Sequence, residues 1–197
     1  YNDIPLFGYN GEGIAFDFLN YATKEEKINF NKISYYTANS SKIGDISFCI
    51  LKNNEKIKEE DIVLYEDYYA LFSRNQKEEI TSLKNLHLGY LESDKEVLSS
   101  YFDSTNALTG YSSIEEMIKG LAENQVDDII LPINQYMDVI LKNKLQITYH
   151  LTDIKTNYVL RVNDETIHNI LKKIYLDYLK NQYNDDYSKN YLKMYFD

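Results

Sequence analysis

The sequence predicts an α/β fold with mainly parallel strands. Strand-sized apolar runs alternate with stretches of helical period, the order that βα units produce. Hydrophobic residues make up 44% and charged residues 26% of the 197, the balance of a folded globular domain. The longest apolar runs, such as Ile129 to Leu131, are strand-sized and fall far short of the ~20 residues that a spanning helix needs.

From Gly13, the apolar positions Ala15, Phe18, Leu19 and Ala22 share one helical face. A strand over Ile28 to Tyr36 follows, then a polar turn, then a buried strand over Ile46 to Leu51. Beyond a charged loop, Tyr68 to Ser73 reads as a strand leaving a first region and Leu86 to Tyr90 as the first strand of a second. Val97, Leu98, Tyr101 and Phe102 then share a helical face. The clearest unit is YSSIEEMIKGLAENQVDDIIL, where Ser113 and Glu116 have capping-box spacing and Ile114, Met117, Ile118 and Leu121 form one stripe. Strands are expected at Ile129 to Leu131, Leu145 to Tyr149 and Tyr158 to Val162. Two helices close the chain, one with Ile167, Ile170, Leu171 and Ile174 on one face, the other with Tyr187, Tyr191, Leu192 and Tyr195. No repeat of solenoid period is present.

Several classes of function are disfavoured by composition. The formal net charge of -10 repels a phosphate backbone, and Arg74 and Arg161 are the only arginines, so nucleic acid is not an expected partner. The lone Cys49 closes no internal disulfide, and within an apolar strand with no activating base it reads as packing. His87, His150 and His168 lack metal-ligand spacing, so no metal is expected. Gly8, Gly11 and Gly13 lack the strand and spacing of a phosphate loop, no acid-base pair stands out, and neither a cofactor nor enzymatic activity is expected. The start of the chain has no signal-peptide pattern, so any targeting segment is expected to precede Tyr1.

In their order, IPLFGYNGEGIAFDFL, VLYEDYYALFSRN, LKNLHLGYLESDKEVLSSYF, IEEMIKGLAENQVDDIIL and NDDYSKNYLKMYFD resemble the type 2 periplasmic solute-binding proteins, in particular the family 3 group that serves amino-acid ABC transporters. The resemblance covers nearly the whole chain. It implies a two-lobed periplasmic-binding-protein type 2 (Venus flytrap) fold with two crossovers, near Leu71 and Tyr158. Residues 1–70 and 157–197 would form lobe 1, and residues 71–156 lobe 2, with a small polar ligand captured between them. The ligand-facing residues it implies are Phe7, Tyr9, Tyr65 and Tyr68, whose rings offer a flat apolar face and, in tyrosine, a hydroxyl, together with Ser93 and Asn134.

The chain departs from the family's pattern at three points. The arginine that holds a ligand carboxylate is absent from NNEKIKEED, where Lys56 offers only a point charge and reads, with Lys58, as a solvated loop cation. The family's Gly-Ser-Thr turn is ESD, whose carboxylates would repel an anionic group, leaving Ser93 or Asp94 as a helix N-cap. After the second-lobe strand stand Pro132, Asn134 and Gln135, with no acidic clamp, while Asp127 and Asp128 read as a solvated turn. The first strand is expected before Tyr1, as in a reduced member or a piece of a longer chain. The resemblance implies an extracellular or periplasmic, membrane-tethered domain. Its partner would be the permease of an ABC importer or, alternatively, a membrane receptor of kinase or cyclase type. A degenerate flytrap that binds nothing is the third reading.

Overall fold

A computed structural model describes residues 13–26, 46–53, 55–74, 82–99, 101–102 and 105–181. In chain order these form α1 (Ile14–Glu26), β1 (Ile46–Lys52), β2 (Asp61–Ser73), β3 (His87–Leu91), a 3-10 turn (Glu92–Asp94), α2 (Lys95–Ser99) and β4 (Ala107–Tyr111). There follow α3 (Ile114–Ala122), β5 (Asp128–Pro132), α4 (Met137–Lys142), β6 (Gln146–Val162) and α5 (Glu165–Asn181). The hydrogen-bonded strand order is β1-β6-β2-β5-β3-β4. β3 is parallel to β4 and β5, whereas β2 is antiparallel to β5.

The chain divides into two compact units, residues 1–51, 56–66 and 157–197, and residues 52–55 and 67–156. β2 and β6 each pass from one unit to the other, between Glu66 and Asp67 and between Thr156 and Asn157.

In the first unit α1 and α5 cover the outer parts of β2 and β6. Phe18, Leu19 and Ala22 meet Ile62, Leu160, Val162, Leu171 and Ile174. Phe18 has no exposed surface and takes Tyr175 edge-on at 5.4 Å; burying such a ring contributes about 1.5–3 kcal/mol. Arg161 grips Asp61 with two hydrogen bonds, Nε to Oδ1 at 2.7 Å and Nη2 to Oδ2 at 3.0 Å.

The second unit has a core on each face of its strands, as the period of two along a strand requires. Ala70 and Phe72 of β2 and Ile129 and Leu131 of β5 pack with Met117 and Leu121 of α3. Tyr69, Leu71 and Ile130 pack on the other face with Val97, Leu98 and Phe102. α3 begins as expected, with the Ser113 hydroxyl accepting from the Glu116 N–H at 3.2 Å. Its Glu116 carboxylate takes the Ser112 hydroxyl. Two short elements, β4 and α4, were not foreseen. The two strands expected over 145–149 and 158–162 are one 17-residue strand, β6. The expected strand over 28–36 and the last helix over 187–195 lie outside the described residues.

Candidate functional site

Two buried carboxylates of the second unit, Asp67 and Asp94, stand at one end of its strands. β3 and β5 are parallel, with Leu88 beside Asp128 and Gly89 beside Ile129, so their carboxyl ends point the same way. Each gives way there to a turn, Glu92–Asp94 after β3 and residues 133–136 after β5. β2 runs the other way, with Tyr69 opposite Pro132, which brings Asp67 to the same end. The carboxyl ends of parallel strands are where α/β folds place their ligands, because the loops there are free to diverge from the packed sheet.

Asp67 has no exposed surface. Its Oδ1 accepts from the Tyr68 N–H at 2.9 Å and from Asn134 Nδ2 at 3.1 Å, and its Oδ2 accepts from the Gln135 N–H at 3.0 Å. The Asn134 N–H lies 3.1 Å from both oxygens. A carboxylate cannot stay buried and charged without such donors. The Ile133 N–H also donates to the Tyr68 carbonyl at 2.9 Å, so the turn after β5 is tied to β2.

Asp94 is the second buried carboxylate, 3% exposed. It accepts the Tyr69 hydroxyl at 3.0 Å and pairs with Lys52 Nζ at 2.7 Å. The same ammonium donates to the Ser93 carbonyl. Burial, then the charge and acceptor oxygen of Asp94, push the Tyr69 phenol far above its ordinary value, so it remains a donor at physiological pH. Burial and the charges of Asp94 and Asp138 push Tyr136, in the turn after β5, up to about 12. Two carboxylates, one ammonium and two phenols that stay protonated thus stand at this end of the unit.

Of the six residues expected to face a ligand, Tyr68, Ser93 and Asn134 lie here. Tyr68 is 37% exposed, and its N–H shares Asp67 with Asn134. Ser93 contributes its carbonyl oxygen. Tyr65 belongs to the first unit, where its half-buried ring lies 5.7 Å from that of Tyr158. Phe7 and Tyr9 lie outside the described residues.

Two charge expectations change. Asp94 is paired with Lys52, so it presents no bare repelling charge. Asp128 is fully buried in β5 and accepts the Thr148 hydroxyl at 3.1 Å; only Asp127 of that pair is exposed, and it accepts the His87 N–H. Sequence reasoning passed over Asp67, Tyr69 and Lys52. A lone aspartate inside the tyrosine-rich run YEDYYALF was the available signal, since a carboxylate in a buried strand must be matched by donors.

Among the described residues no group of three His, Cys, Asp or Glu could hold a metal ion. A separate cavity of about 110 Å³ lies beneath α2, walled mainly by Tyr90, Leu98, Phe102, Leu108 and Ile130, and has little to orient a polar solute.

The fold is that of the two-lobed periplasmic solute-binding proteins. The chain is similar to the arginine-, lysine-, histidine-binding protein ArtJ from the thermophilic bacterium Geobacillus stearothermophilus, with 14% identity over 96% of this chain and 92% of that one and a TM-score of 0.62. It is similar to a histidine kinase sensor domain with similarity to periplasmic binding proteins, with 14% identity, 96% and 92% coverage and a TM-score of 0.65. The GluR0 ligand-binding core in complex with L-glutamate has 12% identity, 96% and 95% coverage and a TM-score of 0.61. These are likenesses of fold, to binding proteins and a sensor domain rather than to enzymes. The sequence itself matches no family model and no curated protein.

Proposed function

We propose that this chain is an extracytoplasmic solute-binding domain that captures a small polar ligand for an ABC importer. The observation that carries the reading is the convergence of Asp67, Asp94, Lys52, Tyr69 and Asn134 at the carboxyl ends of β3 and β5. A sheet end that only closed a core would not gather this much polar chemistry, because each buried polar group must be matched by a partner. The full-length likeness to solute-binding proteins supports the same reading. Residues Tyr68, Ser93 and Asn134 are assigned to the ligand on this proposal, and Phe7, Tyr9 and Tyr65 retain the assignment that the resemblance gives them.

A second reading is a sensory input domain, favoured by the likeness to a histidine kinase sensor domain over 96% of the chain. In either role the partner is a membrane protein, permease or receptor. Among the described residues no helix is long and apolar enough to cross a membrane.

The test is a thermal-shift screen of the purified chain against small polar solutes. A ligand bound only by the folded state stabilises it by RT ln(1 + [L]/Kd), about 2.7 kcal/mol at a hundredfold excess over Kd. At least one solute is expected to raise the melting temperature in a saturable way. A screen in which none does so at millimolar concentration contradicts the proposal.

A further inference from the structure

The corner made by Asp94 and Ser93 already holds an ammonium. Lys52 Nζ sits 2.7 Å from Asp94 Oδ1 and donates to the Ser93 carbonyl, so one cation meets a full negative charge and a second acceptor. The two partners of this ion pair are not equally fixed. The Asp94 side chain is 4% exposed, and the same Oδ1 also accepts the hydroxyl of Tyr69, itself without exposed surface. The Lys52 side chain is 29% exposed and is a flexible stem. If the pair opens, Lys52 swings into water and regains rotamer freedom, whereas Asp94 is left as a buried charge with a single neutral donor. Opening of the pair would therefore fall on the lysine side, and only another cation would restore the charge balance at Asp94.

We propose that this corner is an ammonium subsite, in which Lys52 stands in for the primary ammonium of a small organic cation that displaces it. The inference rests on the solute-binding reading above and narrows its ligand class. Charge at this end of the unit defines the rest of the ligand. Asp67 and Asp94 outnumber Lys52, and the donors around Asp67 are already directed at its carboxylate. A carboxylate beside the incoming ammonium would face that excess of negative charge once Lys52 is displaced. The ligand class is thus an alkyl ammonium without an adjacent carboxylate, and free α-amino acids are poor ligands.

Butylammonium is the probe, because it carries the ammonium and the methylene stem of a lysine side chain. Calorimetric titration into the wild-type chain is expected to show weak, saturable binding. Lys52→Ala, which empties the corner, is expected to bind it at least tenfold more tightly, and Lys52→Ala with Asp94→Asn is expected not to bind it. Glycine, with a carboxylate next to its ammonium, is expected to bind Lys52→Ala less tightly than butylammonium does. Lys52→Ser, whose side chain is too short to fill the corner, replaces Lys52→Ala if the latter does not fold. Equal affinity in the wild type and the Lys52 variant, no binding by either, or binding that survives Asp94→Asn overturns the inference. A neutral solute that binds the wild type while butylammonium does not would sink the ammonium subsite and leave the solute-binding reading standing.

Discussion

The hydroxyl of Tyr69 donates to the carboxylate of Asp94 across 3.0 Å, from a ring with no exposed surface. Tyr69 lies on β2 and Asp94 in the turn after β3, so the bond fixes that turn against a strand that is not its sequence neighbour. Removing the hydroxyl leaves Asp94 with Lys52 alone. Tyr69→Phe is expected to cost about 1.5–3 kcal/mol, the range for a hydrogen bond to a charged group. Urea unfolding measures it, and an unchanged midpoint would show that Asp94 does not depend on the phenol.

Tyr111 and Gly120 make a second, purely steric relationship. A Cβ on Gly120 would collide with the Tyr111 hydroxyl oxygen and lie 2.7 Å from Cζ, closer than such atoms approach. Gly120→Ala is expected to cost about 1–3 kcal/mol despite alanine's better helix propensity. The Tyr111 hydroxyl is buried without a hydrogen-bond partner, so Tyr111→Phe alone is expected to leave stability unchanged or raise it. A melting temperature that rises with Gly120→Ala, or falls by several degrees with Tyr111→Phe, would contradict this packing.

The legibility of the chain follows from where each signal resides. α3 was readable because its cap and stripe are local, Ser113 with Glu116 and Met117 with Leu121. β6 was read as two strands because Thr152 and Asp153 interrupt its apolar residues; both are exposed on a continuous strand. β4 carries exposed Ala107 and Leu108 and a glycine, and α4 has six residues, too few for a period to show. The polar site was only partly visible. Asn134 came from a resemblance of local wording, whereas Asp67 and Asp94 acquire meaning only from partners 67 and 25 positions away.

Acid should act on the first unit through Asp61. Burial works to raise its carboxyl, but the hydrogen bonds from Arg161 and the Lys58 N–H, with both positive charges, outweigh it and hold the carboxyl below 3.8. A depressed folded value means that the stabilisation is present above the unfolded value and is lost as pH falls through the folded one. Asp61→Asn is expected to lower stability at neutral pH by less than the ~3–5 kcal/mol of a fully buried broken pair, because Arg161 keeps 21% of its side chain in solvent. It should also flatten the fall in stability below pH 3.8. Parallel acid-unfolding curves for wild type and variant would refute this role.

Tyr68 tests the assignment of an aromatic to the ligand. With 37% of its surface exposed, Tyr68→Ala should cost well below the ~3–5 kcal/mol of a core aromatic. Ligand affinity should fall while the melting temperature changes little. Loss of the folded state would place the ring in the core instead.

The most direct test of solute binding is an amide NMR titration of the ¹⁵N-labelled chain with hits from the solute screen. Saturable shifts are expected, concentrated at the amides of residues 91–95 and 133–136, the two turns that carry Ser93, Asp94 and Asn134. Saturable binding that leaves both turns unmoved, or moves only residues elsewhere such as those of α5, would contradict it.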